Sequence, residues 1–361
     1  MVVQERRRSG KRVLSIALAL VLAVLLGVVI VRELRGDAAP VTVSGVVGSE
    51  KLPFFADPAV KKVFADNGIE LRIDPAGSRQ IATTVDLGPY DFAFPSSAPA
   101  ADKLLAAHPA ARTYAPFSSP MAVATFRPIA DLLTTAGVVT GTTFDMHRLL
   151  QLTATGTRWD QLPGNTAFPA RKNVLLSTTE PCQSNSAAMY LGIASYAANN
   201  DAVVADQATS TAVLPSVEPL FRDQGYLPPS SEVLFEDYLS AGMGRVPMAL
   251  VYEAQYLAEE LAPQPTLQPG TVLLYPNPTV FSRHTLVPLT PQGDKVGELL
   301  TTNPDLLRLA AVHGFRTQDP RQLADVMAAR GLPPLPQLVD VVEPPAYDTL
   351  EAMLRGLGCP A

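Results

Sequence analysis

Small hydroxyl residues follow four apolar, strand-like runs of the sequence, and each group stands where a helix is predicted to begin. The groups are Gly48-Ser49-Glu50-Lys51, Ala76-Gly77-Ser78-Arg79, Pro95-Ser96-Ser97 and a mid-chain stretch, Ser177 to Glu180 followed by Gln183-Ser184-Asn185-Ser186. In an open parallel sheet the carboxyl ends of the strands meet at one edge, where ligands bind. Helix N-termini offer unpaired N–H groups and a partial positive charge, and hydroxyls add donors. Together such groups are suited to an anion or a carboxylate.

Each group also has a simpler interpretation as a helix cap. Ser, Thr and Asn are preferred N-cap residues, and Ser78 is a plausible cap for the helix predicted over 78–85. One group alone therefore indicates a cap, whereas its repetition after four strands favours a shared binding site.

Glu50 and Arg79 are the charged members of this predicted site. Arg79 could bind a carboxylate or phosphate of a ligand through two parallel hydrogen bonds. Alternatively, Glu50 could neutralise Arg79 and leave the site uncharged. The sequence leaves both interpretations open.

Signals of catalysis or metal binding are weak. The histidines are scattered, and none has a His, Cys or acidic neighbour at metal-ligand spacing, so packing or surface roles are favoured; they are His108, His147, His284 and His313. Trp159 is interpreted as a packing anchor rather than a stacking platform. Because the sequence has no GxSxG, SxxK or Walker-type motif, we expect no catalytic residues, no metal and no cofactor. A hydrolase is the least favoured alternative.

Strand-like and helix-like stretches alternate along the chain. The run 41–47 is strand-like, 57–68 has apolar residues at helical spacing and ends at a glycine, and 69–77 alternates apolar and polar residues. Comparable alternation resumes over 144–289. This pattern predicts an α/β fold with a mostly parallel sheet.

An uncharged segment near the N-terminus predicts a membrane anchor. Val13–Val31 carries no charge over 19 residues, which as a helix spans about 28 Å, close to the hydrocarbon thickness of a bilayer. Five basic residues precede it and two arginines follow closely, so the rest of the chain should lie outside the cytoplasm. The run exceeds a signal-peptide core, which favours an uncleaved single-pass anchor over a cleaved leader. We expect a cytoplasmic tail (1–12), a transmembrane signal-anchor (13–32) and a linker (33–40).

The chain beyond residue 35 is acidic, with 21 basic and 32 acidic side chains. Nucleic-acid binding needs a basic surface and is therefore not expected. An oxidising compartment would allow a disulfide between Cys182 and Cys359; two unrelated thiols are the alternative.

Several stretches together resemble a known class of proteins. They are GSEKLPFFADPAV, PAGSRQIAT, YDFAFPSSAPA, GTRWDQLPG, MALVYEAQYL and HGFRT, spread over most of residues 41–317. On them the sequence resembles extracytoplasmic solute-binding proteins of the periplasmic binding protein type 2 class. It is most similar to the substrate-binding-like domains of actinobacterial membrane-anchored proteins.

The resemblance implies a two-lobed α/β sandwich with a ligand cleft between the lobes. Lobe 1 would comprise 41–126 and 275–361, and lobe 2 would comprise 127–274. Residues 120–126 and the region near 271–280 would form the two crossing strands. The ligand positions would be Ser49, Glu50, Ser78, Arg79, Ser96, Ser97, Ser184, Asn185 and Tyr252.

The expected function is capture of a small polar solute, an anion being one candidate, for transport or sensing. The expected partners are the solute, a membrane transporter or envelope protein, and the membrane itself through the N-terminal helix. The acidic remainder of the chain makes a cationic or zwitterionic solute conceivable as well. The alternative is a cell-envelope interaction scaffold that keeps the fold and binds no solute.

Overall fold

The computed structural model describes residues 40–108 and 112–360. Its strands are β1 (Val41–Val47), β2 (Ile69–Pro75), β3 (Phe92–Phe94), β4 (Tyr114–Phe126), β5 (Val139–Thr140), β6 (Thr143–Asp145), β7 (Met248–Tyr252), β8 (Thr271–Asn277), β9 (Thr279–Pro288), β10 (Arg316–Thr317) and β11 (Val341–Val342).

The α-helices alternate with these strands. They are α1 (Leu52–Ala56), α2 (Pro58–Asp66), α3 (Ser78–Thr83), α4 (Ala98–Ala107), α5 (Arg127–Thr135), α6 (Met146–Ala154), α7 (Asn185–Ala198), α8 (Gln207–Val217), α9 (Pro219–Arg222), α10 (Ser231–Ala241), α11 (Glu253–Leu261), α12 (Pro291–Thr302), α13 (Pro304–Val312), α14 (Pro320–Ala329) and α15 (Tyr347–Gly356). Short 3-10 helices occupy Ser49–Lys51 and Trp159–Gln161.

Local chemistry accounts for the bounds of many elements. Helix α2 begins after Asp57, whose side chain accepts a hydrogen bond from the Ala59 N–H, and it has Pro58 at its first position. It ends at Asp66, two residues before Gly68, which adopts a positive φ of 72°. The apolar, strand-like run that precedes Ser177 forms no named strand, and isolated bridges at Asn173 and Ser177 are found there instead.

The strands form one sheet in the order β2-β1-β3-β9-β4-β8-β6-β5, with β7, β10 and β11 pairing off this path. Strands β2, β1 and β3 are parallel. Strand β4 is antiparallel to β7, β8, β9 and β10. The prediction of a mostly parallel sheet is therefore wrong for the centre, because the long strands there carry the chain back and forth between the two halves.

Strand β4 is the longest connection between the halves, with 13 residues. Its first half pairs with β9, and its second half pairs with β7 and β8. The predicted first crossing strand, 120–126, lies within β4. The predicted second one, near 271–280, coincides with β8 and the start of β9.

Separate hydrophobic cores lie on the two sides of these crossing strands. The larger core is built from the second half of β4, strands β7 and β8, and helices α5 to α10. A smaller core packs α1, α2, α12 and α13 on one face of β1 and β3, while α3 and α4 cover the other face. We use lobe 1 for the part around these smaller cores and lobe 2 for the part around the larger core.

The last helix, α15, departs from the predicted lobe boundaries, which assigned 275–361 to lobe 1. Its apolar residues Leu350, Met353 and Leu354 belong to the core of lobe 2, where α15 packs against α8 and α7. The reason is the apolar stripe of this helix, which is buried against the helices of the other lobe. The C-terminal segment thus returns to lobe 2.

No helix within 40–108 or 112–360 combines the length and the apolar character needed to cross a membrane. The predicted cytoplasmic tail, anchor and linker fall on residues 1–39, outside the described part of the chain.

Candidate functional site

A cavity of about 320 Å³ lies between the lobes, where the polar turns meet. Lobe 1 contributes the turn after β1, the turn between β2 and α3, and Ser96 after β3. Lobe 2 contributes the first residues of α7 and α10 together with Tyr252 at the end of β7. The cavity is therefore bounded by strand ends and helix starts, as the sequence predicts.

Most of the predicted ligand positions line this cavity. They are Ser49, Glu50, Ser78, Ser96, Ser184, Asn185 and Tyr252. Arg79 and Ser97 lie elsewhere, in a smaller crevice that they share with Glu351 of α15.

Arg79 is engaged by the C-terminal segment. Its Nε donates to Glu351 Oε2 at 2.9 Å, and its Nη2 donates to Glu351 Oε1 at 2.5 Å. Further bonds run from Arg79 to the carbonyl oxygens of Cys182 and Pro360. Hydrogen bonding to Glu351 raises the pKa of the Arg79 guanidinium. The alternative in which Glu50 neutralises Arg79 is wrong, because Glu351, 272 residues away in sequence, takes that place.

Glu50 lines the cavity and is at the same time part of a charged network that is buried behind it. The Lys51 ammonium donates to Glu50 Oε1 at 2.5 Å and to Ser96 Oγ at 2.9 Å. Ser96 Oγ donates to the same Glu50 oxygen at 2.5 Å. His284 Nδ1 lies 3.1 Å from Lys51 Nζ and 3.2 Å from Glu50 Oε1. Side-chain exposure is 0% for Lys51 and 3% for Glu50.

The charge states follow from burial and from these partners. Burial alone would raise the pKa of Glu50, but Lys51 and His284 outweigh burial and hold it well below its usual range. Burial and the neighbouring Lys51 charge lower the pKa of His284 to about 4. Burial lowers the pKa of Lys51 as well, against the opposing effect of the Glu50 charge. The 2.5 Å contact between Lys51 Nζ and Glu50 Oε1 is that of an ammonium–carboxylate pair, and the imidazole beside this pair is neutral at neutral pH.

A second network of hydrogen bonds involves polar groups of both lobes, and it crosses between them where Asn185 Nδ2 donates to the Ser96 carbonyl oxygen at 3.4 Å. The Ser96 N–H donates to Ser78 Oγ at 2.8 Å. Asn185 Nδ2 donates to the Tyr252 hydroxyl at 3.0 Å, and the Ser282 hydroxyl donates to the Ser96 carbonyl oxygen. Ser78 is thus not the N-cap of α3 as predicted. Gly77 holds that position, and its N–H donates to Gln80 Oε1 at 3.0 Å.

Two glycines allow these close approaches. A Cβ added at Gly48 would lie 2.0 Å from Ser96 Oγ and 2.8 Å from the Glu50 carboxylate oxygens. A Cβ added at Gly77 would lie 1.7 Å from the carbonyl oxygen of Gln183. Residue 48 must therefore lack a side chain to leave room for the charged network, and residue 77 must lack one to allow the contact between the lobes.

No protein-family model matches the chain, and no curated protein sequence matches it. The sulfate-binding protein SubI from Mycobacterium tuberculosis H37Rv superposes with a TM-score of 0.51 at 17% identity, over 86% of this chain and 96% of that one. The chain has the fold of a periplasmic binding protein.

Two further binding proteins superpose comparably, one of them a periplasmic binding protein by its name. The protein AfuA from Actinobacillus pleuropneumoniae, with fructose-6-phosphate bound, gives a TM-score of 0.55 at 9% identity, over 87% of this chain and 97% of that one. Apo ferric ion-binding protein A from Pasteurella haemolytica gives 0.52 at 10% identity, over 88% and 94%. The fold implied by the sequence resemblance is confirmed.

Within this periplasmic binding protein fold, the cavity also contains residues that the sequence analysis missed. Ser230, Ser231, Glu232 and Glu236 line it from the start of α10. Burial raises the pKa of Glu232 to about 7. A signal for this segment was present, because Pro-Ser-Ser occurs both at 95–97 and at 229–231. Nothing comparable marks Lys51, Ser282 or His284, whose roles depend on distant partners.

Few metal-ligating groups converge within the described residues. Within the described residues, one trio has donor atoms close enough to share an ion, Glu180, Cys182 and Cys359. Its two cysteines are joined as a disulfide, with Cα atoms 5.1 Å apart, so they offer no thiolate ligand. Of the two alternatives that the sequence leaves open, a disulfide or two unrelated thiols, the structure has the disulfide between Cys182 and Cys359.

Proposed function

We propose that the protein is an extracytoplasmic solute-binding protein that captures a small polar solute in the cavity between its lobes. The observation that carries this proposal is a cavity lined by polar groups of both lobes, Ser49 and Ser78 from one and Ser184 and Asn185 from the other. Ligand pockets are typically about 300–1,000 Å³ with a few convergent polar groups, and a cavity of about 320 Å³ falls in that range.

The structural relatives support binding rather than catalysis. By their names, SubI binds sulfate and the Pasteurella protein binds ferric ion, and AfuA has fructose-6-phosphate bound. These solutes differ in charge and shape, so the relatives support a binding function without indicating the solute. Delivery of the solute to a membrane transporter, or its report to an envelope partner, is part of the proposal.

The scaffold alternative is less well supported. A protein that keeps the fold only as an interaction surface would be expected to have a collapsed or side-chain-filled cleft, and here the cleft encloses open volume.

A hydrolase would need a nucleophile and a base in the cleft. Ser96 and His284 each contact both Lys51 and Glu50, but Ser96, Lys51 and His284 are fully buried. The Ser96 hydroxyl and the Lys51 ammonium are both bonded to the Glu50 carboxylate. This arrangement neutralises the groups rather than activating one of them.

We also propose that residues 13–32 anchor the protein in the cell membrane as a single pass. The support is the uncharged 19-residue run, the basic residues before it, and the disulfide on the far side, which is typical of an oxidising compartment. Protease treatment of intact cells should remove residues beyond 40 while a tag fused to the N-terminus stays protected. Protection of both ends would contradict the proposed topology.

Ser49 provides the test of the binding proposal. Its side chain is half-buried at the cavity wall and makes no hydrogen bond to another side chain of the described residues. We expect Ser49→Ala to weaken solute binding about tenfold, the loss of one good hydrogen bond, and to leave the melting temperature of the free protein unchanged.

The measurement is calorimetry and thermal shift on the purified full chain, with oxyanions, amino acids, amines, sugars and metal ions as probes. The matched control is Ser216→Ala, an exposed serine on α8, which should bind as the parent protein does. A binding proposal in the cleft is contradicted if no probe raises the melting temperature, or if both variants bind equally well.

A further inference from the structure

Acidic side chains set the charge of the cavity. Glu50, Glu232 and Glu236 line it, and its lining includes no lysine, arginine or histidine. A neighbouring cavity of about 200 Å³ shares the same three glutamates and adds Glu259. The one imidazole on that second cavity, His313, is paired with Asp57 at 2.9 Å.

The cations closest to the cavity are occupied. Lys51 is enclosed behind Glu50 and Ser96, with no exposed side-chain surface. Arg79 is turned towards Glu351 and the C-terminal carbonyl groups. An anionic solute would therefore enter a space walled by carboxylates without meeting a free ammonium or guanidinium group from the cavity lining.

Glu232 is a half-buried carboxylate of this space without an opposite charge in contact with it among the described residues. Its hydrogen bond within the described residues comes from Gln255 Nε2 at 3.3 Å. The charged groups that act on it from the surrounding elements are Glu50, Glu236 and Glu259, all of the same sign. A positive group placed beside Glu232 would be the first opposite charge that it meets.

The rest of the lining indicates the shape of the ligand. Leu52, Pro75, Pro229 and Val233 give the cavity carbon-rich walls, which suit an organic body rather than a bare ion. Metal binding is disfavoured as well, because the three glutamates are not among the described groups whose oxygens converge within 4.8 Å.

We infer that the solute is a small organic cation, an ammonium or guanidinium compound whose positive group lies beside Glu232 and Glu236. This inference rests on the proposed function, since it names the chemical class of the solute for the same cavity. The hydroxyls of Ser49 and Ser184 would bind the polar remainder of the molecule.

The test is isothermal titration of the full chain with putrescine, choline and L-arginine, and separately with sulfate, phosphate, succinate and glucose. We expect at least one of the three cations to bind and the anions and glucose not to bind. Glu232→Gln should lower the affinity for that cation about tenfold or more, because a charge partner is lost at nearly constant volume. Glu236→Gln removes a second negative charge of the cavity lining at an exposed position. It should also weaken cation binding, and it should not disturb folding.

Glu298→Gln is the matched control, an exposed glutamate on α12 far from the cavity lining, and it should bind as the parent does. The pH dependence of cation affinity distinguishes a charge interaction with Glu232 from a purely structural role of this residue, because a structural role would not make the affinity change with its ionisation. Burial and the neighbouring carboxylates raise its pKa to about 7, so it ionises between about pH 6 and about pH 8, and cation affinity should rise over that interval. The rise should be absent in Glu232→Gln.

The outcomes separate the two claims. Binding of sulfate, phosphate, succinate or glucose with no cation bound would overturn the cation inference and leave the solute-binding proposal standing. Failure of every probe would overturn both. A cation that binds equally well to the parent, to Glu232→Gln and to Glu236→Gln would also overturn the inference, because its positive charge would then not interact with these carboxylates.

Discussion

At the scale of single residues, the sequence neighbours Glu50 and Lys51 occupy different positions relative to the cavity. The Glu50 carboxylate lines the cavity, whereas Lys51 is fully buried behind it and neutralises it. Burying an ion pair is costly unless further hydrogen bonds complete it, and Ser96 and His284 supply them here. The wall of the cavity is therefore rigidly held, and its outer face stays polar.

Gly48 is required for this arrangement. Its φ of −61° suits any residue, so Gly48→Ala tests packing alone. The added methyl group would lie 2.0 Å from Ser96 Oγ and should destabilise the fold by about 1–3 kcal/mol through overpacking. Urea unfolding of the full chain measures this change.

Gly244 provides the control for Gly48, because a Cβ added there meets no atom within 4 Å and its backbone is unstrained. Gly244→Ala should leave the free energy of unfolding within about 0.5 kcal/mol of the parent value. Equal stability of the two variants would show that the charged network tolerates a side chain at residue 48.

At this scale, the sequence indicates which residues lie at the strand ends, but it does not indicate which distant side chains pair with each other. Ser49, Ser78 and Ser96 could be predicted because each follows a strand locally, and parallel strands bring such ends together. Arg79 and Glu351 are 272 residues apart, and Lys51 and His284 are 233 apart. No local pattern carries information on which distant partner will neutralise a charge.

At the scale of elements, the C-terminal helix α15 joins the lobes at a third place besides the crossing strands. It packs in the core of lobe 2 and is tied there by the disulfide between Cys182 and Cys359. Two of its side chains contact lobe 1. Glu351 forms a salt bridge with Arg79, and the ring of Tyr347 lies under the Lys103 ammonium, whose Nζ is 5.4 Å from the ring centroid. Alternation of strands and helices predicted most elements, but an amphipathic stripe does not reveal which lobe buries it.

Removal of the disulfide should loosen this helix. The bridge spans 177 residues, and loss of a native disulfide typically costs about 2–5 kcal/mol. In Cys182→Ser/Cys359→Ser we expect faster hydrogen exchange across 347–356 than in the parent.

Helix α5 serves as the internal reference in the same exchange experiment, because it lies on β4 and β8 and away from the bridge. Its exchange should change little. Equal acceleration in α5 and α15 would indicate global destabilisation instead of a local tether.

At the scale of the whole molecule, the lobes touch each other around the cavity. The backbone of Gly77 in lobe 1 lies against the Gln183 carbonyl of lobe 2, and Asn185 meets the Ser96 carbonyl at 3.4 Å. Hinged lobes of this kind open and close about their crossing strands. The two-lobed architecture followed from the resemblance, whereas these contacts between lobes did not.

Gly77→Ala should shift the protein towards an open arrangement. The added Cβ would lie 1.7 Å from a backbone oxygen, which disfavours the closed contact by about 1–3 kcal/mol. Spin labels on the exposed residues Lys61 and Asp131 should report a longer mean distance by pulsed electron paramagnetic resonance. The same labels with Gly244→Ala should report the parent distance, and an unchanged distance in Gly77→Ala would contradict a closing role for this contact.

The most direct test of solute binding in the cleft is a crystal structure of the protein grown with the probe that binds it most tightly in calorimetry. We predict that the probe occupies the cavity between the lobes, in contact with Ser49, Ser78 or Asn185. A probe bound elsewhere on the surface, with the cavity filled by side chains of the protein, would contradict the account.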